Sequence, residues 1–271
     1  MSDRRRLVSY AQTNLGESKP RGYLEIYEEY FAPLARREIR LLELGVKNGV
    51  SLLMWRDYFP NGIIAGVDLK AIELGDPRIR TYQGHQEDTA LLTRIAREIA
   101  PDGFDIIIDD CAHVGELART SFWHLFMHAL KPAGIYAIED WGTGYWGGHR
   151  EFPDGHLYQP RERETMLHRI ARGVLRNLGA ESKPRGPVQR RVGRLAQHAL
   201  GRYQYRRRFA GHDYGMVGFV KQLVDECGMR DITSPDFGIG QRPSTPPTSS
   251  RIARMLVSPG LVIVTKVPIG M

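Results

Sequence analysis

Residues 251–267 read RIARMLVSPGLVIVTKV. Two apolar runs, Arg251–Val257 and Leu261–Val267, flank the triplet Ser258-Pro259-Gly260. A parallel crossover needs a dozen or more residues, so a three-residue connection forces this pair to be antiparallel. The chain therefore closes on a hairpin.

Upstream the rhythm differs. Ile39–Leu44 (IRLLEL) is a short apolar run that stops at Gly45, and helical spacing follows over Ser51–Tyr58. Ile63–Leu69 and Ile79–Gln83 are further strand candidates, the second followed by the helical TALLTRIAREIA. Phe104–Asp109 and Ile135–Ile138 are the fourth and fifth, and between them TSFWHLFMHALKPAG reads as a helix stopped by Pro132 and Gly134. Continuous apolar strands alternating with helices indicate a buried parallel sheet. Five such units closed by an antiparallel hairpin predict an α/β, Rossmann-like fold with a mostly parallel seven-stranded sheet. This is the outline of the class I S-adenosylmethionine (SAM) methyltransferases; a dinucleotide-binding fold ends without the hairpin. One domain over 1–271 is expected, with an N-terminal helical extension over 1–37 and a basic insertion over about 150–211.

At 271 residues the chain can bury a core without disulfide staples. Its two cysteines, Cys111 and Cys227, fit a reducing compartment, and a cytoplasmic location is expected. MSDRRRLVSY carries charge with no apolar run behind it, and no 18-residue apolar stretch follows, so neither a signal peptide nor a transmembrane segment is expected. The formal net charge of +7 is uneven, because residues 161–208 hold fourteen Lys/Arg against three Asp/Glu. That segment carries +11 and leaves the rest of the chain at −4. Basicity confined to one segment weakens the case for a general nucleic-acid binder. The stretch NLGESKPRG (Asn14–Gly22) returns as NLGAESKPRG (Asn177–Gly186), but the flanks differ, so this is no domain repeat.

The candidate site lies at the carboxyl ends of the strands, where open α/β sheets bind ligands. LLELGVKNGVS gives strand, glycine turn and helix, with Glu43 and Gly45 in the pattern E-x-G-x-x-x-G. Gly45 permits a sharp turn and close approach of a ligand. Asp68 ends the next strand and can accept the ribose hydroxyls of an adenosine, or cap a helix. In YQGHQED, Gln86 or Asp88 can hydrogen-bond adenine.

The fourth and fifth strands end in IIIDDCAH and AIEDW. Neighbouring strands lie about 4.8 Å apart, so Asp109-Asp110 and Glu139-Asp140 meet at one rim. Such carboxylates cannot all stay ionised unless a cation sits among them or some are protonated. An all-oxygen set suits Mg²⁺ before Ca²⁺ or Mn²⁺. The alternative is that the acids cap helices or pair with arginines. His113 stands at the same rim, and imidazole is the side chain best suited to move a proton near neutral pH. Cys111 reads as a small filler. Trp141, Tyr145 and Trp146 can stack on a sugar ring or pack the insertion onto the sheet.

RLLELGVKNGVSLLMWRDYFP, GVDL, QGHQED, IIIDDCAH and AIEDWGTGYW together resemble the metal-dependent SAM O-methyltransferases that act on sugars of natural products. That group includes the mycinamicin and demethylmacrocin sugar O-methyltransferases. GYLEIYEEYFAPL and HDYGMVGFVKQLVDE fit it too, so the likeness covers about residues 10–150 and 211–267. It implies Asp110, Glu139 and Asp140 as Mg²⁺ ligands and His113 as base. Glu43, Gly45, Asp68, Gln86 and Asp109 are then the candidates for the SAM side, with Asp109 facing the cofactor or backing the metal ligands. The implied acceptor is a glycosylated small molecule or a glycan, and a homo-oligomer stays open. His85 departs from the family, which usually has Asp there, and the basic segment has no counterpart in it. Two rivals remain: a SAM-dependent RNA methyltransferase, and a non-enzymatic module whose basic arm docks on acidic surfaces.

Overall fold

A computed structural model of the chain describes residues 7–10, 19–145, 215–228 and 251–268. The basic segment 161–208, Trp146, the second copy of the echo and most of the first lie outside the described residues.

Seven strands form one sheet: β1 (Arg40–Leu44), β2 (Ile63–Asp68), β3 (Ile79–Gln83), β4 (Phe104–Asp109), β5 (Leu130–Glu139), β6 (Ile252–Val257) and β7 (Leu261–Lys266). Their order is β3-β2-β1-β4-β5-β7-β6. The first five are parallel, and β7 pairs antiparallel with both β5 and β6. The hairpin expected from Ser258-Pro259-Gly260 is present, and its later strand is the one that docks on β5. Gly260 turns with φ 78°, and a Cβ there would lie 2.0 Å from the Tyr23 hydroxyl, so the turn abuts the N-terminal segment.

Helices cover both faces. Against one face pack α4 (Thr89–Ile99), α5 (Gly115–His128) and α6 (Gly215–Gly228); against the other pack α1 (Leu7–Tyr10), α2 (Arg21–Phe31) and α3 (Val50–Tyr58). The period of two along each strand assigns side chains to faces. Leu42, Leu44, Ile107, Tyr136 and Ile138 enter the α4/α5/α6 core; Leu41, Ile106, Ile108 and Ala137 enter the other.

Two boundaries differ from the sequence reading. Helix α5 begins at Gly115 and ends at His128, and Leu130 already pairs with Phe104. Pro132, Ala133 and Gly134 do not stop the helix. They sit in an irregular start to β5, where the register with β4 shifts and Ala133 adopts φ 60°.

Helix α2 is docked by a stripe at four-residue spacing. Lys19, Tyr23, Tyr27 and Phe31 are all buried, Lys19 two residues ahead of the first helical turn's Arg21. Phe31 stacks on Tyr27 with centroids 4.8 Å apart, and Trp55 of α3 meets both rings edge-on. Replacing Phe31 by alanine should cost about 3–5 kcal/mol, as for other fully buried aromatics. Urea unfolding checks this, and a loss below about 1 kcal/mol would mean that α2 is not anchored by this stack.

Candidate active site

The three strands β1, β4 and β5 are neighbours, and their tips carry the acids. Glu43 shares the face of Leu41, and Glu139 that of Ala137. Asp109 follows Ile108 and faces the opposite side, toward α5; Asp110, one residue on, returns to the α2 side. Three carboxylates on adjacent strand tips, Glu43, Asp110 and Glu139, therefore converge under α2. Their oxygens lie within 4.8 Å of one another.

The cation among them is a lysine. Lys19 Nζ lies 2.9 Å from Glu43 Oε1, 2.5 Å from Asp110 Oδ2 and 2.9 Å from Glu139 Oε1. Two tyrosines of the α2 stripe add donors: Tyr27 gives its hydroxyl hydrogen to Glu139 Oε1 and Tyr23 gives its own to Asp140 Oδ1, each at 2.7 Å. Ser51 Oγ donates to Glu43 Oε2 at 2.7 Å. Burial works against the Lys19 charge, but the three acids outweigh it and hold the ammonium protonated, well above its ordinary range. One ammonium cannot satisfy three carboxylates. Burial, with the charges of Asp110 and Glu43, pushes Glu139 toward its neutral acid, against the pull of Lys19.

A second group faces the open cleft. Asp110, His113 and Asp140 are partly exposed, with His113 Nε2 at 3.8 Å from Asp110 Oδ1 and 3.7 Å from Asp140 Oδ2. His113 and Asp140 both adopt positive φ, 51° and 52°. Non-glycine residues in that region carry strain that the surrounding structure must hold, and such strain clusters at functional sites. The cleft has a volume of about 790 Å³ and runs from these residues past Gly45 to Asp68, Lys70, His85 and Gln86.

The glycine loop is built as its sequence requires. Gly45 has φ 82°, and a Cβ there would meet the carbonyl oxygen of Asp110 at 2.1 Å. Asp68 caps no helix: its Oδ2 accepts from the backbone N–H groups of Val46 and Lys47, and its Oδ1 accepts from Lys70 N–H. The tip of β2 thereby holds the loop of β1. Asp88 does cap α4, accepting from Ala90 and Leu91 N–H.

The remaining expected residues are placed as follows. Gln86 lines the cleft but is almost wholly buried; its amide donates to Asp109 and Ser121 and accepts from Ala112 N–H. Glu43 and Asp109 are buried and do not line the cleft: Glu43 lies under Lys19, and Asp109 lies against Gln86 and Ser121 of α5. Burial raises the Cys111 thiol to about 12, which leaves it no nucleophile at neutral pH. Trp141 donates its Nε1–H to the carbonyl of Ser258 and packs on the core, tying the hairpin turn to the site. The side chain of Tyr145 lies outside the described residues. Lys19, Tyr23, Tyr27 and Ser51 were not anticipated. The available signal was the i, i+4 stripe Lys19–Tyr23–Tyr27–Phe31, whose head is a lysine in an otherwise aromatic row.

No protein-family model matches the chain. It is 35% identical over 220 residues to mycinamicin VI 2''-O-methyltransferase of Micromonospora griseorubida, across 78% of this chain and 51% of that protein. It is 40% identical over 130 residues to demethylmacrocin O-methyltransferase of Streptomyces fradiae, across 45% of this chain and 32% of that protein. Among solved structures, the MycE methyltransferase from the mycinamycin biosynthetic pathway, in complex with Mg, SAH and mycinamycin VI, matches with TM-score 0.61 and 25% identity, across 98% of this chain and 56% of that one. The expected resemblance to sugar O-methyltransferases is borne out, and the fold is that of the Rossmann-like class I methyltransferases. The chain spans about half the length, or less, of the curated relatives it matches.

Asp109 offers a test of the site's electrostatics. Burial, with the charge of Asp110, raises its carboxyl to about 7 against the hydrogen bonds from Ser121, Cys111 N–H and Gln86. An unfolded aspartate ionises near about 3.9, so between about pH 4 and 7 the folded state holds a proton that the unfolded state has lost. This acid therefore costs stability as pH rises through that window. Asp109→Asn has no such proton. Its stability relative to the parent should improve from pH 4 to 7, by roughly 1.4 kcal/mol per unit, and level off outside. Urea unfolding at several pH values checks this; two parallel stability curves would refute the assignment.

Proposed function

We propose that the chain is a SAM-dependent, Mg²⁺-dependent O-methyltransferase that methylates a sugar hydroxyl of a glycosylated natural product or glycan. The observation that carries this reading is the convergence of Asp110, Glu139 and Asp140 with His113 at one end of a cleft whose other end is the Gly45 loop and Asp68. The donor set fits a hard divalent cation: of four carboxylates, counting Glu43, Lys19 pairs with three and leaves Asp140 without an ammonium, and the cleft-facing donors are carboxylate oxygens apart from His113.

In this reading Asp110, Glu139 and Asp140 hold Mg²⁺. Gly45, Asp68 and Gln86 line the SAM end of the cleft, with Glu43 and Asp109 supporting them from behind its wall. When bound, SAM supplies an activated methyl group and Mg²⁺ supplies the Lewis acidity that makes a weakly acidic sugar hydroxyl easier to deprotonate. His113 takes the hydroxyl proton at Nε2. His113 Nε2 lies 3.8 Å from Asp110 Oδ1 and 3.7 Å from Asp140 Oδ2, on the cleft wall. The cleft aligns hydroxyl and methyl group, a contribution that reaches about 7–11 kcal/mol in the best intramolecular cases.

The protein acts in the cytoplasm as one methyltransferase domain, with the stretch of about 150–211 as its insertion. Among the described residues no helix is long and apolar enough to cross a membrane.

Labelled SAM offered with a panel of glycosylated acceptors, with and without EDTA, tests the proposal. Transfer to a sugar hydroxyl should vanish with EDTA and return with Mg²⁺; full activity in the metal-free protein would end the metal reading. Transfer to RNA alone would select the rival substrate. His113→Ala should lower turnover by about 10²–10⁴-fold while the SAM dissociation constant stays within a few-fold. SAM itself should raise the melting temperature, since binding to the native state alone is stabilising.

A further inference from the structure

Two clusters of metal-competent side chains share Asp110. The inner one is the trio Glu43, Asp110 and Glu139; the outer one is Asp110, His113 and Asp140. The inner trio holds the Lys19 ammonium within 2.9 Å of each acid, with the lysine side chain almost wholly buried. Glu43 is fully buried, and its Oε1 accepts no well-formed hydrogen bond although Lys19 lies beside it. That atom has ion contact without directional satisfaction, as expected of an oxygen arranged around a charge.

We propose that Lys19 is a built-in cation that occupies the inner site and so keeps a divalent ion at the outer, cleft-facing oxygens. The ammonium takes Oδ2 of Asp110 and Oε1 of Glu139, leaving Oδ1 of Asp110 beside His113 at the cleft. Lys19 is thus a positioning residue for the ligands, and Glu43 is the ligand it withholds. Two buried carboxylates and a partly exposed third, left without a counter-ion, are strongly destabilising, so removing the lysine creates demand for another cation at the same place. This inference rests on the reading that the cleft takes a divalent ion, and the experiment separates the two.

Full-length wild-type protein, K19M, E43Q and K19M/E43Q are stripped of metal, and Mn²⁺ binding is counted by calorimetry and electron paramagnetic resonance beside thermal unfolding. The wild type should bind one ion, with E43Q within a few-fold of it in affinity. K19M should melt lower without metal, and should either bind a second ion or bind one at least about tenfold more tightly. Adding Glu43→Gln in that background should remove the gain. An unchanged ion count and affinity in K19M, or a gain that survives loss of Glu43, overturns the proposal. If K19M does not fold metal-free, Mn²⁺ must restore its fold; failure at every concentration also overturns it. Binding by K19M but not by the wild type supports the role of Lys19 and removes the divalent ion from the native cleft. Binding by neither overturns both readings.

Discussion

The ammonium of Lys19 sits where three strand tips bring three carboxylates together, and much of the site follows from that contact. A parallel sheet with order β1-β4-β5 and a side-chain period of two leaves Glu43, Asp110 and Glu139 on one face at adjacent tips. Crowded together and unpaired, they could not all remain ionised. The compensation comes from a different part of the chain. Helix α2 is pressed onto the sheet by Tyr27, Phe31 and Trp55, and the same stripe carries Lys19 and two tyrosine donors into the acids. Packing and electrostatics are therefore one device, and the helix ahead of the sheet is part of the candidate site's construction.

The other face shows the same logic with a different solution. Asp109 points toward α5, away from any lysine, and is held by neutral donors from Gln86, Ser121 and the backbone. Neutral donors stabilise a buried charge less than an ammonium does, so this acid is pushed toward its protonated form. Two consecutive aspartates thus have opposite environments because one residue of strand reverses the face. A single register choice separates the residue that can meet a cation from the one that stiffens the wall behind it.

Much of this was legible in the sequence because it is local. The strand runs, the Ser258-Pro259-Gly260 turn and the two acid pairs at strand ends follow from short patterns, and so does the glycine at position 45, where a Cβ would strike the next strand's backbone. The partners were less legible. Lys19 and Asp110 are 91 positions apart, and Tyr27 and Glu139 112 apart. Their meeting depends on how α2 lies across the sheet, which no local spacing encodes. The roles of Asp68 and Gln86 were obscured for a related reason. A polar residue at a strand tip can face a ligand or tie down its neighbour's loop, and here Asp68 holds the backbone of the Gly45 loop while it borders the cleft. Pro132 and Gly134 misled because breakers mark irregular strand starts as readily as helix ends.

The site distinguishes fixed from exchangeable charge. Lys19 is tethered, buried and aimed at the inner oxygens of Glu43, Asp110 and Glu139. Asp110, His113 and Asp140 border open space, and two of them are held at strained backbone angles. A tethered ammonium cannot serve an arriving acceptor, because Glu43, Asp110 and Glu139 already lie within 2.9 Å of it. What it can do is set where the uncompensated charge lies. With the inner oxygens neutralised, the remaining negative charge falls on the cleft side of Asp110 and on Asp140, the only place in this cluster where a mobile cation and a substrate hydroxyl could both arrive. The lysine thus decides which oxygens are available for chemistry without taking part in it.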